Sequence, residues 1–114
     1  GRRRYLPGLR SPLPQIKASA ERMAMNAPLQ GTAADIIKLA MRHIEEYAAK
    51  EGIRENVRLV LQIHDELVFE IDADIEESVT KELVKILEGV LSRRGLSTLP
   101  LVVSAGSGKN LKSL

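Results

Sequence analysis

Three polar residues, His64-Asp65-Glu66, stand between two apolar runs, Val57 to Ile63 and Leu67 to Ile71. A tight hairpin turn ordinarily uses Asn-Gly or Asp-Gly, so turn chemistry alone does not explain them. A carboxylate at a hairpin tip offers hard oxygen ligands to Mg²⁺ and leaves coordination positions open for phosphate oxygens. A solvated acidic turn has the same letters. Asp65 and Glu66 cannot complete a two-metal site, because strand neighbours point to opposite faces and two ions need several shared anionic ligands. Glu70 and Asp72 lie farther along the second run and read as solvent-facing charges, so a further acidic ligand is expected from outside this chain.

Arg22, Asn26 and Gln30 recur at i, i+4 and i+8 and fall on one face of a helix. All three donate hydrogen bonds, which suits the minor-groove acceptors common to A·T and G·C pairs and hence a duplex of almost any sequence. A solvated helix face would look the same. His43, inside a helical run, is assigned no chemistry. Gly106-Ser107-Gly108-Lys109 is too short between its glycines for a phosphate loop and is followed by Asn110 rather than Ser or Thr.

The elements that must position these residues follow from periodicity. Pro7, Gly8, Pro12 and Pro14 make residues 1–17 an extended arm. A helix is expected over 18–52, kinked near Ala24 to Pro28, with Thr32 and Asp35 resembling a cap. Val57, Leu59, Leu61 and Ile63 alternate with other residues, as do Leu67, Phe69 and Ile71, giving a hairpin over 57–72. Asp74 with Glu77 opens a second helix over 74–94, and 100–105 reads as a final strand. The fold class is α+β, with an antiparallel sheet packed against the long kinked helix and the second helix.

The chain has 114 residues, 44% of them hydrophobic and 28% charged, which suits one globular domain. No apolar run approaches a membrane span. Without cysteine, neither disulfides nor thiolate metal sites are open to it, and with no secretory signal the cytoplasm is the expected compartment. The net charge of +2 is uneven: Arg2, Arg3, Arg4, Arg10, Lys17 and Arg22 are opposed only by Glu21 before residue 23, and the remainder is mildly acidic. A basic leading segment suits a phosphate backbone, as it does a solvated surface. The start at Gly1, without methionine, reads as a processed or excised piece.

Four groups of residues closely resemble family A DNA polymerases in order and spacing. They are Gly1-Arg2-Arg3-Arg4-Tyr5-Leu6-Pro7, the run from Glu21 to Asn26, Gln30-Gly31-Thr32-Ala33-Ala34-Asp35, and Gln62-Ile63-His64-Asp65-Glu66-Leu67. Leu101-Val102, Gly106-Ser107-Gly108 and Asn110 are similar to that family's C-terminal segment, although Leu111 stands where tryptophan is usual. The resemblance covers essentially the whole chain and implies the C-terminal part of the palm.

By this resemblance, Asp65 is the metal-binding catalytic carboxylate, Glu66 a supporting acid, and His64 a neighbour of the primer terminus. Arg22, Asn26 and Gln30 match positions that touch primer-template DNA through the minor groove. The implied reaction is attack of a primer 3′-hydroxyl on the α-phosphate of a dNTP, with two Mg²⁺ ions as cofactor in the complete site. The implied partners are primer-template DNA, dNTP and the remainder of the polymerase chain upstream, with no membrane and a nucleoid-associated place in the cytoplasm. The family's other aspartate and its fingers helix have no counterpart here, so the isolated chain is expected to be inactive. A non-catalytic duplex-binding remnant is the rival reading, distinguished by dependence on Gln30 but not on Asp65.

Overall fold

The computed structural model describes residues 1–95 and 99–113. In chain order these form a 3-10 turn at Pro7–Arg10, helix α1 at Pro14–Lys50, strands β1 at Val57–Ile63 and β2 at Glu66–Ile71, and helix α2 at Glu76–Glu88. Further 3-10 turns lie at Ser92–Arg94 and Leu111–Ser113. The chain divides into two compact units, Gly1–Ile37 and Lys38–Leu114. Among the described residues, no helix is long and apolar enough to cross a membrane.

In the first unit, Pro14 occupies the first helical position, where its missing N–H is no loss and its fixed φ suits the helix. The helix therefore starts earlier than the expected residue 18 and takes over the end of the arm. Residues 1–6 have no regular secondary structure. Gly8 lies so close to the helix that a Cβ there would be 3.1 Å from the Ala20 Cβ and 3.3 Å from the Ile16 Cγ2. Pro28 sits inside the single helix and deprives the Ala24 carbonyl of its usual donor. Thr32 does not cap a new helix, because the chain is already helical there; its Oγ1 donates to the Pro28 carbonyl at 2.8 Å instead.

In the second unit, α1 ends in a Schellman motif. Gly52 takes φ 70°, the Gly52 N–H donates to the Ala49 carbonyl at 3.3 Å, and the Ile53 N–H donates to the Ala48 carbonyl at 2.9 Å. Ile53 then packs against a core of Ile44, Val57, Val79, Leu83 and Ile86, joined by Leu67, Phe69 and Ile71. Each such aliphatic side chain contributes about 1.5–3 kcal/mol when fully buried.

β1 and β2 form an antiparallel pair, and the register contains a bulge: Leu59 pairs with Phe69, but Leu61 pairs with Val68, leaving Val60 as the extra residue. The even alternation expected for Val57, Leu59, Leu61 and Ile63 is thereby broken. Val57 and Leu59 share the face of Phe69 and Ile71, whereas Leu61 and Ile63 share the opposite face with Val68 and Glu66. Leu61 and Ile63 remain 42% and 43% exposed.

Two expectations for the C-terminal half are corrected. α2 spans Glu76–Glu88 rather than 74–94: Ile75 is the N-cap without a side-chain cap bond, and the helix stops at Gly89, a weak helix former. The strand expected at 100–105 is absent, and among the described residues the sheet has two strands. A strand exists only where its N–H and C=O groups meet another strand. Here the Val103 N–H instead donates to the Glu88 Oε1 at 3.2 Å, and Val102 is 87% exposed.

Candidate functional site

The hairpin closes with a two-residue turn, since Ile63 pairs with Glu66 and leaves only His64 and Asp65 between the strands. His64 takes φ 53°, and it is the one non-glycine residue with positive φ among the described residues. For an L side chain that conformation costs about 1–2 kcal/mol, and Gly or Asn would reduce the cost. The Gln62 Nε2 donates to the His64 carbonyl at 3.4 Å and braces the turn. A strained residue held at a projecting tip is consistent with a site kept for something other than stability.

His64, Asp65 and Glu66 are all exposed, and neither carboxylate enters an ion pair among the described residues. Asp65 lies in the turn itself. Glu66 is the first residue of β2, paired with Ile63 on the face away from the core. The donor set suits a hard cation, but among the described residues no three His, Asp or Glu side chains converge to hold one. Asp65 can therefore supply one ligand of a shared site, not a closed site of its own. Glu70 is exposed, and Asp72 follows β2 at the end of the hairpin away from the tip, where the Asn56 Nδ2 donates to it at 2.5 Å.

Arg22, Asn26 and Gln30 lie along α1, all exposed and none in an ion pair among the described residues. The continuous helix spaces them about one turn apart, roughly 6 Å each along the axis. They belong to the first unit and the hairpin belongs to the second.

A contact across 33 residues was invisible to spacing arguments: the Arg2 guanidinium pairs with the Asp35 carboxylate. The side chain of Arg2 crosses Gly31, where a Cβ would lie 3.2 Å from its Cδ. Asp35, expected to help cap a helix, is thus committed to the arm. Arg3, Arg4, Arg10, Lys17 and Arg22 make no ion pair among the described residues. His43 has a buried Nδ1 without a hydrogen-bond partner, but among the described residues it joins no group of three His, Asp or Glu side chains that could hold a metal ion.

The model of DNA polymerase family A matches residues 1–113. DNA polymerase I of Pseudomonas aeruginosa is 42% identical over 110 residues, covering 96% of this chain and 11% of the relative. The thermostable DNA polymerase I of Thermus aquaticus is 40% identical over 110 residues, covering 96% of this chain and 12% of that one. Among solved structures, the POL domain of Pol1 from M. smegmatis, in complex with DNA primer-template and dNTP, matches with a TM-score of 0.68 and 42% identity. That match covers 79% of this chain and 16% of the other. The chain thus spans about an eighth or less of the length of these polymerase I relatives. Matched from its basic arm through its acidic hairpin to its C-terminal turn, the chain belongs to DNA polymerase family A.

Proposed function

We propose that this chain is the C-terminal palm segment of a template-directed DNA polymerase, carrying one arm of the metal site at Asp65 and a duplex contact along Arg22, Asn26 and Gln30. The observation that carries the reading is the turn at His64-Asp65, an exposed carboxylate without an ion-pair partner among the described residues, at a strained tip. That turn stands in a chain matched along its length by family A.

The reaction is in-line attack of a primer 3′-oxygen on the α-phosphorus of a dNTP. A P–O bond forms to the primer, the bond to the β-phosphate oxygen breaks, and pyrophosphate leaves. Bound Mg²⁺ supplies charge neutralisation at the attacking and leaving oxygens. Within this chain, Asp65 contributes an anionic oxygen ligand, and Glu66 adds negative charge beside it. His64, at the same turn, lies near the primer terminus. Arg22, Asn26 and Gln30 donate to minor-groove acceptors shared by all base pairs, so the primer end is held without regard to its sequence. The basic arm adds phosphate attraction that weakens as salt rises.

The remaining carboxylate ligand and the nucleotide-binding residues come from elsewhere in the polymerase chain, and the 114-residue piece alone is inactive. Primer extension with Mg²⁺ tests this. No templated incorporation is expected from the isolated chain, and incorporation by a rigorously purified sample that Asp65→Ala abolishes would sink the half-site reading. In the full polymerase chain, Asp65→Ala should cut the extension rate by more than about 100-fold, since metal-borne charge stabilisation is worth several kcal/mol. Gln30→Ala should instead weaken primer-template affinity. If Asp65→Ala leaves extension untouched while Gln30→Ala weakens binding, the segment is a duplex-binding module without a catalytic role.

A further inference from the structure

The proposed duplex contact is carried by a helix with a built-in weak point. Pro28 lies between Asn26 and Gln30, leaves the Ala24 carbonyl without its helical donor, and sits where helices bend. Thr32 bonds back to the Pro28 carbonyl at 2.8 Å, which also favours bending. The N-terminal arm touches the helix on both sides of that point. Before the proline, Gly8 rests on Ala20 and Ile16, with the Ala20 Cβ 3.1 Å from where a Gly8 Cβ would stand. After it, Arg2 crosses Gly31 and pairs with Asp35.

The lengths agree. The six residues from Gly8 back to Arg2 reach at most about 20–22 Å. Along the axis, Ala20 to Gly31 is about 16 Å and Ala20 to Asp35 about 22 Å. The arm therefore runs antiparallel to α1 and is long enough, with the Arg2 side chain, to make both contacts. The arm comes close to the helix at two small residues, Ala20 and Gly31, which fall within about 40° of one another around the helix, with Ala27 between them in sequence on the same side. Gln30 lies roughly 100° and Asn26 roughly 140° away from Gly31 around the helix, so the Arg2 crossing leaves the polar stripe open. Both are exposed.

We propose that residues 2–8 act as a splint across Pro28, with Arg2 and Asp35 as positioning residues that hold Asn26 and Gln30 in line for the duplex. The inference rests on the reading of that stripe as a DNA contact. Gly31 is the aperture through which the Arg2 side chain crosses the helix.

The test uses the full polymerase chain and two readouts. Arg2→Ala and Asp35→Asn should each speed amide exchange over residues 24–34 by about two- to fivefold, the range of an exposed ion pair. Each should also weaken primer-template binding by a similar factor, with little further loss when Gln30→Ala is added, because the two act through one contact. The charge swap Arg2→Asp with Asp35→Arg should restore both readouts. Unchanged exchange in both single variants overturns the splint. Faster exchange with unaltered DNA affinity, where Gln30→Ala does weaken binding, overturns the positioning role. Gln30→Ala without effect on affinity removes the duplex reading, and amide exchange still decides the splint by itself.

Discussion

Among the described residues, the unit Gly1–Ile37 buries one hydrophobic side chain, Ala20, whereas Lys38–Leu114 buries nine, from Ala40 to Leu91. The first unit is a helix with an arm laid along it, held by close backbone approach at Gly8 and by the Arg2–Asp35 ion pair. The second folds a hairpin and two helical segments around branched aliphatic residues. Burial of such side chains contributes far more than an exposed ion pair. The contrast separates two jobs: the second unit supplies the rigidity beneath a strained turn, and the first presents polar side chains along an exposed face.

The sharpest way to break this contrast is to remove a core side chain. Leu83→Ala should destabilise the chain by about 2–5 kcal/mol, because the methyl groups lost leave a cavity in the cluster of Ile44, Val57, Val79 and Ile86. Thermal unfolding followed by circular dichroism measures it, and a loss below 1 kcal/mol would deny the second unit its role as the stable part. The matching change in the first unit, Ala20→Gly, should cost only about 1 kcal/mol, chiefly through helix propensity.

At the hairpin tip the expected sign reverses. His64→Gly relieves the left-handed backbone at φ 53° and should stabilise the fold by up to about 1 kcal/mol in denaturant titration. Primer extension by the full polymerase chain should fall in the same variant if the histidine is retained for function. A gain in stability without a loss of activity would detach His64 from the site.

The smallest effect lies in alkaline solution. Burial, then the carboxylates of Glu82 and Glu51, raise the Tyr47 hydroxyl above its usual pKa of 10.0, with Lys85 opposing. The unfolded chain therefore releases this proton first, so the contribution is fully present below pH 10 and is lost as pH rises from there through the folded value. Tyr47→Phe should flatten that part of a stability-versus-pH curve. An unchanged slope would place Tyr47 in an environment no different from water.

Read in one dimension, the chain already disclosed its family, its α+β class, the two helices, the hairpin and the residues at its tip. Periodicity is a local property: apolar residues at helical spacing make α1 and α2, and two β-rich runs broken by His64-Asp65 have one short way to pair. The polar stripe was legible for the same reason. Tertiary structure decided the rest. The bulge at Val60 sends Leu61 and Ile63 to the face opposite Leu59, which no count of alternating letters could assign because it depends on the partner strand's register. The residues at 100–105 have strand-like composition but no strand, since composition cannot supply a neighbour to bond with. Asp35 reads as a cap in isolation and is an anchor in three dimensions, because its partner Arg2 lies 33 residues away in sequence yet in direct contact in space.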